Sequence, residues 1–158
     1  MDYITHYQSP LGGITIGSNG THLIGLWFDG QKYFGATLEK DCKECDHLPV
    51  FQQTRLWLDT YFSGNEPNFT PPLFLRSTPF RCRVWEVLLQ IPYGQTMTYG
   101  EISRLLHIGC AQAIGNAVGH NSISIIIPCH RVVATDGTLT GYAGGLDRKR
   151  WLLQTEQK

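Results

Sequence analysis

Cys129, His130 and Arg131 stand side by side at the end of an apolar run in a chain of 158 residues. The thiolate is the nucleophilic form of cysteine, and neighbouring basic or cationic groups supply it at neutral pH by lowering the thiol pKa. Ile125-Ile126-Ile127 ahead of it predicts a short buried strand, and Pro128 then ends strand pairing and stiffens the backbone. The expectation is a nucleophilic thiol presented at the end of a rigid element. The competing reading is a cysteine used as a small buried hydrophobe, which is the commoner role of the residue.

The flanking residues separate the two readings. Pro-Cys-His-Arg-Val-Val at 128–133 follows Asn121 and precedes Gly141-Tyr142-Ala143-Gly144-Gly145 and Trp151-Leu152-Leu153-Gln154-Thr155-Glu156. This pattern resembles the O6-alkylguanine-DNA alkyltransferases, closely over the C-terminal half and more loosely over the N-terminal part. The resemblance implies direct-reversal repair, in which Cys129 takes the alkyl group from O6-methylguanine, and from O4-methylthymine in some members. Thiolate suits attack on a saturated carbon with guanine as leaving group. The product, S-methylcysteine, is a thioether that water does not hydrolyse, so each molecule acts once.

By the same resemblance His130 is the base toward Cys129, directly or through one water, and Glu156 orients its charged form, as in other nucleophile, histidine and carboxylate sites. On its own, Glu156 reads as an exposed charge at a helix end. Tyr99 matches a tyrosine that crowds the 3′ phosphate of the flipped nucleotide and protonates the departing guanine. Asn121 matches a hinge asparagine, and Tyr142 with Gly144 and Gly145 matches the loop that closes over the base. Tyr142 alone reads equally as a core aromatic. Arg131 is grouped with the DNA-binding and hinge residues. Gln112 stands where the family commonly has an arginine that fills the space left by the flipped base, and glutamine lacks the planar cation. Ser122 and Ser124 stand where some relatives have prolines.

The partner implied is alkylated double-stranded DNA. The net charge is zero, but residues 1–75 hold 4 Lys and Arg against 8 Asp and Glu, while residues 76–158 hold 9 against 5. The basic excess accompanies the cysteine motif, as phosphate contact requires. Thr98 with Glu101 forms a capping-box pattern before Ile102, Leu105 and Leu106, and a second helix runs from Cys110 to about Gly119. Together they read as a helix-turn-helix. The resemblance places the second helix in the minor groove, where its small residues favour low sequence specificity. Base flipping then costs a few kcal/mol.

These elements predict an α+β chain. A small N-terminal antiparallel sheet plus helix unit, 1–75, serves as scaffold, and a C-terminal helical, winged-helix-like domain, 76–158, binds DNA and accepts the alkyl group. Strands are predicted at Tyr3–Tyr7, Gly13–Gly17 and Thr21–Phe28, with a two-residue hairpin turn at Asn19-Gly20. Residues 29–49 read as a loop with one short extra element, Pro49–Phe62 as a helix, and Thr78–Leu89 as a helix opened by Thr78-Pro79.

With 42% hydrophobic and 16% charged residues the composition is globular, and no apolar run reaches a membrane span. Five cysteines, an odd number, fit reduced thiols in the cytoplasm. Cys42-x-x-Cys45 with His47 begins a zinc-ligand spacing without a fourth ligand. The N-terminal zinc ligands of some relatives do not map here either, since Asn19 and Leu23 or Ile24 occupy that stretch, so neither metal nor cofactor is expected. A monomer that can bind DNA cooperatively fits the pattern. Two other readings compete: a lesion-binding sensor of the alkyltransferase-like kind, which Cys129 opposes and Gln112 keeps in view, and a cysteine hydrolase using Cys129, His130 and Glu156.

Overall fold

Alternating apolar residues fold the start of the chain into an antiparallel meander in the computed structural model, which describes residues 1–157. β1 (Tyr3–Ser9), β2 (Gly12–Ser18) and β3 (Leu23–Phe28) pair in sequence order, with Tyr3 opposite Ser18 and Ile14 opposite Phe28. The connection at Asn19-Gly20 differs from the two-residue turn expected. Asn19 Oδ1 accepts from the amides of Thr21 and His22 at 3.1 and 2.8 Å, beside a register shift at Gly17/Ser18. A side chain that imitates the backbone turn thus replaces the tight hairpin geometry with a longer loop.

The short extra element between 29 and 49 is β4 (Lys43–Glu44), parallel to β1, which gives the order β3-β2-β1-β4. α1 (Pro49–Phe62) opens with proline at its first position and buries Val50, Phe51, Thr54, Trp57, Leu58 and Tyr61 along one stripe. That stripe packs on β1 and β2. Leu58 is fully buried, and its truncation to alanine is expected to cost about 2–5 kcal/mol.

All six residues of β3 are buried, because its outer edge is closed by two distant pieces of chain. Leu73 bridges Leu23 and Ile123 bridges Leu26, both in parallel sense. The Leu26 amide donates to Ser122 O at 2.8 Å, and the Ser124 amide donates to Leu26 O at 2.9 Å. Ser122–Ser124 thereby belongs to the same compact unit as Met1–Arg76. Here the strand expected at Ile125–Ile127 is corrected: pairing falls at Ile123, and residues 125–127 form a turn with Ile125 at φ 71°. Every residue from Asn121 to Val133 is buried, and an apolar run buried throughout reads alike as strand or turn.

The second unit comprises Ser77–Asn121 and the chain from Ile125 onward. α2 (Pro79–Leu88) is capped by Thr78, whose hydroxyl accepts from the Arg81 amide at 3.3 Å. β5 (Met97–Thr98) leads into α3 (Tyr99–Leu106), where the Thr98/Glu101 capping box is complete, with both bonds between 3.0 and 3.1 Å. α3 ends on His107 in the left-handed region, and α4 (Ala111–Gly119) follows. Trp85 of α2 donates its indole N–H to Ala117 O of α4 at 2.8 Å, which fixes the pair against α2. β6 (Val132–Val133) pairs in parallel with β5, and α5 (Leu146–Glu156) closes the unit. The fold is α+β. Among the described residues no helix is long and apolar enough to cross a membrane.

Candidate active site

Cys129–Arg131 form a single 3-10 turn between Pro128 and β6. The β5–β6 pairing sets Met97 beside Val132 and Thr98 beside Val133, so the turn is tied to the start of α3. α5 lies behind it. Lys149, Leu152, Thr155 and Glu156 share the buried face of that helix. Lys149 and Glu156 are seven residues apart, two helical turns, and therefore project from one side.

Glu156 collects three donors. His130 Nε2 lies 2.6 Å from Oε2, Arg131 Nε donates to Oε1 at 2.7 Å, and the Gly94 amide donates to Oε1 at 3.1 Å. Gly94 sits at φ 79°, and a Cβ there would stand 3.1 Å from the Glu156 carbonyl oxygen, so glycine alone brings this amide to the carboxylate without strain. Burial by itself would raise the Glu156 carboxyl, but the bonds and charges of His130 and Arg131 outweigh it and hold the pKa down to about 2. Burial also pushes the His130 imidazole below its ordinary value, against the pull of Glu156. The resting state is a neutral imidazole donating Nε2–H to a carboxylate. His130 Nδ1 is buried and has no protein partner among the described residues, which leaves it as the ring nitrogen able to accept a proton.

One alternative and one expectation give way here. Glu156 is not the exposed helix-end charge that it reads as on its own, being 5% exposed and engaged by His130 and Arg131. Nor does Arg131 face a phosphate or the thiol. Its guanidinium is turned inward to Glu156, donates to Ile91 O at 2.8 Å and lies over the Tyr93 ring at 5.6 Å. A planar cation with several donors is satisfied by a carboxylate and a carbonyl better than by solvent at this depth.

The thiol is also unlike its sequence picture. Cys129 is 5% exposed, and burial raises its pKa above the ordinary thiol value, with the Asn121 side chain and the charge of Lys149 acting in the opposite direction. The resting group is a thiol, not a preformed thiolate, because desolvation outweighs the nearby cation. Asn121 also donates from Nδ2 to Ile127 O at 2.8 Å, spanning the turn that delivers Cys129. Lys149 was not anticipated. Its side chain is fully buried, its ammonium donates to Thr140 O at 2.8 Å and Gly141 O at 3.2 Å, and burial brings its pKa down to about 8. The signal in the sequence was the spacing from Glu156 on an otherwise polar helix.

The remaining candidates are more dispersed. Tyr99 opens α3, and its hydroxyl accepts from Thr140 Oγ1 at 3.4 Å, so Lys149 and Tyr99 hold the same loop. Tyr142 is half-buried in that loop, where its carbonyl accepts from the Gly145 amide at 2.9 Å. Gln112 is exposed on the first turn of α4, outside the cluster around Cys129. Ser122 and Ser124 are buried at 4% and 1% exposure. Among the described residues no three His, Cys, Asp or Glu side chains gather in a metal-binding group, Cys42, Cys45 and His47 included.

A buried thiol, a neutral imidazole backed by a carboxylate and a buried lysine whose charge favours the thiolate can carry out nucleophilic displacement. Two family descriptions match the chain: 6-O-methylguanine DNA methyltransferase, ribonuclease-like domain, over residues 3–75, and 6-O-methylguanine DNA methyltransferase, DNA binding domain, over residues 79–158. The methylated-DNA–protein-cysteine methyltransferase of Haemophilus influenzae is 44% identical over 157 residues, covering 98% of this chain and 86% of that protein. The crystal structure of Mycobacterium tuberculosis OGT in complex with DNA matches with a TM-score of 0.88 at 40% identity, over 98% of this chain and 92% of that one. The O6-methylguanine-DNA methyltransferase of Pyrococcus kodakaraensis matches with a TM-score of 0.66 at 27% identity, over 99% of each chain. With both halves matched and relatives this similar over almost the whole length, the chain belongs to the methylated-DNA–protein-cysteine methyltransferase family.

Proposed function

We propose that this chain repairs O6-methylguanine in duplex DNA by direct reversal, transferring the methyl group to Cys129 Sγ in one irreversible turnover. The observation that carries the assignment of roles is the buried His130–Glu156 pair, 2.6 Å apart, directly after the buried Cys129 in the same turn. His130 Nδ1 takes the thiol proton, directly or through one water, and Glu156 balances the imidazolium that forms. The thiolate is stabilised by the Asn121 side chain and the Lys149 charge. Sulfur attacks the methyl carbon, the S–C bond forms as the C–O6 bond breaks, and the departing guanine takes a proton from the Tyr99 hydroxyl. The proton held by His130 returns through solvent to the Tyr99 oxygen, so the net exchange is thiol plus methylguanine to thioether plus guanine.

α4 enters the minor groove, with Gln112 at its exposed first turn in the space left by the flipped nucleotide. Tyr142 and the glycines after it close over the base. Residues 1–75 act as scaffold and 76–158 as the DNA-binding and acceptor domain, in a protein that binds as a monomer and can assemble cooperatively on DNA. All five cysteines are free thiols, which supports a reducing, cytoplasmic setting. A sensor without transfer is disfavoured by the acceptor thiol and by the methyltransferase relatives. Intact-protein mass after incubation with excess methylated duplex tests the proposal: one methyl group, about 14 Da, on Cys129 with no second turnover is the expected covalent product. Lesion-specific binding without a mass change would move the protein to the sensor class.

A further inference from the structure

The parallel ladder between β3 and Ser122–Ser124 stops one bond short. With Leu26 N–H donating to Ser122 O and Ser124 N–H to Leu26 O, the next bond of a parallel ladder would run from the Phe28 amide to Ser124 O. The Phe28 amide instead donates to the side-chain oxygen of Gln31 at 2.8 Å, and the Ser124 hydroxyl donates to that same oxygen at 3.3 Å. Gly30, at φ 81°, makes the reversal that returns Gln31 onto the strand. Gln31 is buried, and its amide nitrogen donates to Lys32 O at 3.3 Å. Immediately after the ladder ends, Ile125 adopts its positive φ. A β-branched residue holds that conformation only where its surroundings over-determine it.

We propose that Gln31 is a positioning residue for the acceptor thiol: its side-chain amide takes the place of the Ser124 carbonyl on β3, ends the ladder, and forces the turn at Ile125–Ile127 that delivers Cys129. The inference rests on Cys129 being the acceptor. Gln31 touches no reacting atom; it acts through Ser124 and the four residues between Ser124 and Cys129.

Two readouts on the full-length chain test it: single-turnover transfer from O6-methylguanine duplex as a function of DNA concentration, and the pH profile of Cys129 labelling by iodoacetamide, assigned by peptide mass. Gln31→Leu removes the acceptor and is expected to lower the maximal transfer rate roughly ten- to a hundred-fold, the scale of a small misplacement of a reacting group. The half-saturating DNA concentration should stay unchanged while the labelling profile shifts. Gln31→Glu, which retains an acceptor oxygen, should recover part of the rate. Ser124→Ala keeps every backbone bond and should give a smaller loss of the same kind, which preserves the test if Gln31→Leu does not fold. Folded variants with wild-type maximal rate and labelling profile overturn the inference, as does a change confined to the half-saturating concentration, or no recovery in Gln31→Glu. If the wild-type chain transfers nothing, the repair reading fails by itself, and the labelling profiles still decide the positioning role.

Discussion

His130 Nε2 and Glu156 Oε2 lie 2.6 Å apart with essentially no solvent on either side chain. Removing the charge of this carboxylate leaves the buried Arg131 guanidinium without its counter-ion. Glu156→Gln is therefore expected to lose about 3–5 kcal/mol of stability, as when one partner of a buried pair is deleted. The transfer rate should fall roughly a hundredfold or more, because general-base assistance loses the charge that balances it. Urea denaturation and single-turnover kinetics check the two losses separately. A folded Glu156→Gln protein with the wild-type rate would remove Glu156 from the mechanism.

The same carboxylate makes stability depend on acid. Its pKa in the folded chain is about 2 against an ordinary value of 4.5, so the native state binds fewer protons than the unfolded state between those values. The stabilisation is complete above pH 4.5 and is lost as pH falls through about 2. It amounts to roughly 3 kcal/mol by proton linkage. Asp2 works in the same direction: burial opposes ionisation, but its bonds to Arg76 and the Glu39 amide leave the pKa lowered. Urea midpoints measured from neutral pH downward should fall along this window, and less steeply in Glu156→Gln.

Lys149 supplies the positive charge closest in effect to the thiol. Lys149→Met strips the cation that opposes the burial of Cys129, so thiol labelling and transfer should both move to higher pH, with slower transfer at neutrality. The substitution also leaves Thr140 O and Gly141 O without the ammonium. An unmoved labelling profile would mean that the ammonium serves the loop alone.

Arg131 and Gln112 should separate in their response to salt. Arg131→Lys breaks the fork between Glu156 and Ile91 O, with an expected loss of about 1–3 kcal/mol in stability. The slope of log affinity against log salt for DNA should not change. Gln112→Arg adds an exposed cation at the start of α4 and should tighten binding and steepen that slope by about one. DNA titrations across a salt series test both. The opposite pattern would return Arg131 to the DNA surface and take Gln112 away from it.

Much of this architecture was legible in local chemistry. Pro49 and the stripe from Val50 to Tyr61 marked α1 to the residue, and Thr98 with Glu101 marked the start of α3 through a cap that needs only four residues. Asn19-Gly20 marks the position of the turn but not its length, because the Asn19 side chain competes with the backbone for the same amides. What stayed hidden depends on residues far apart in sequence. Nothing near Ile125 announces that Leu26 will pair with Ile123 instead, and nothing near Arg131 announces that Glu156 will claim its guanidinium. The thiol pKa is hidden for the same reason: adjacent residues suggest charge, whereas burial by the whole unit decides the protonation state.

The closure of β3 by Ile123 has a consequence for how the chain acquires its shape. During synthesis the N-terminal meander and α1 emerge first and Leu73 can pair with Leu23 soon after, yet the edge of β3 at Leu26 waits for a segment made 97 residues later. Until that segment arrives, the newborn sheet carries an open stretch of apolar edge, the feature of a partly made chain that most invites pairing with a stranger. Closing so long a loop is an entropic cost met late in folding. The residues that finish the sheet lie directly ahead of Cys129 in the sequence, so a chain halted before this point has neither the sealed edge nor the thiol.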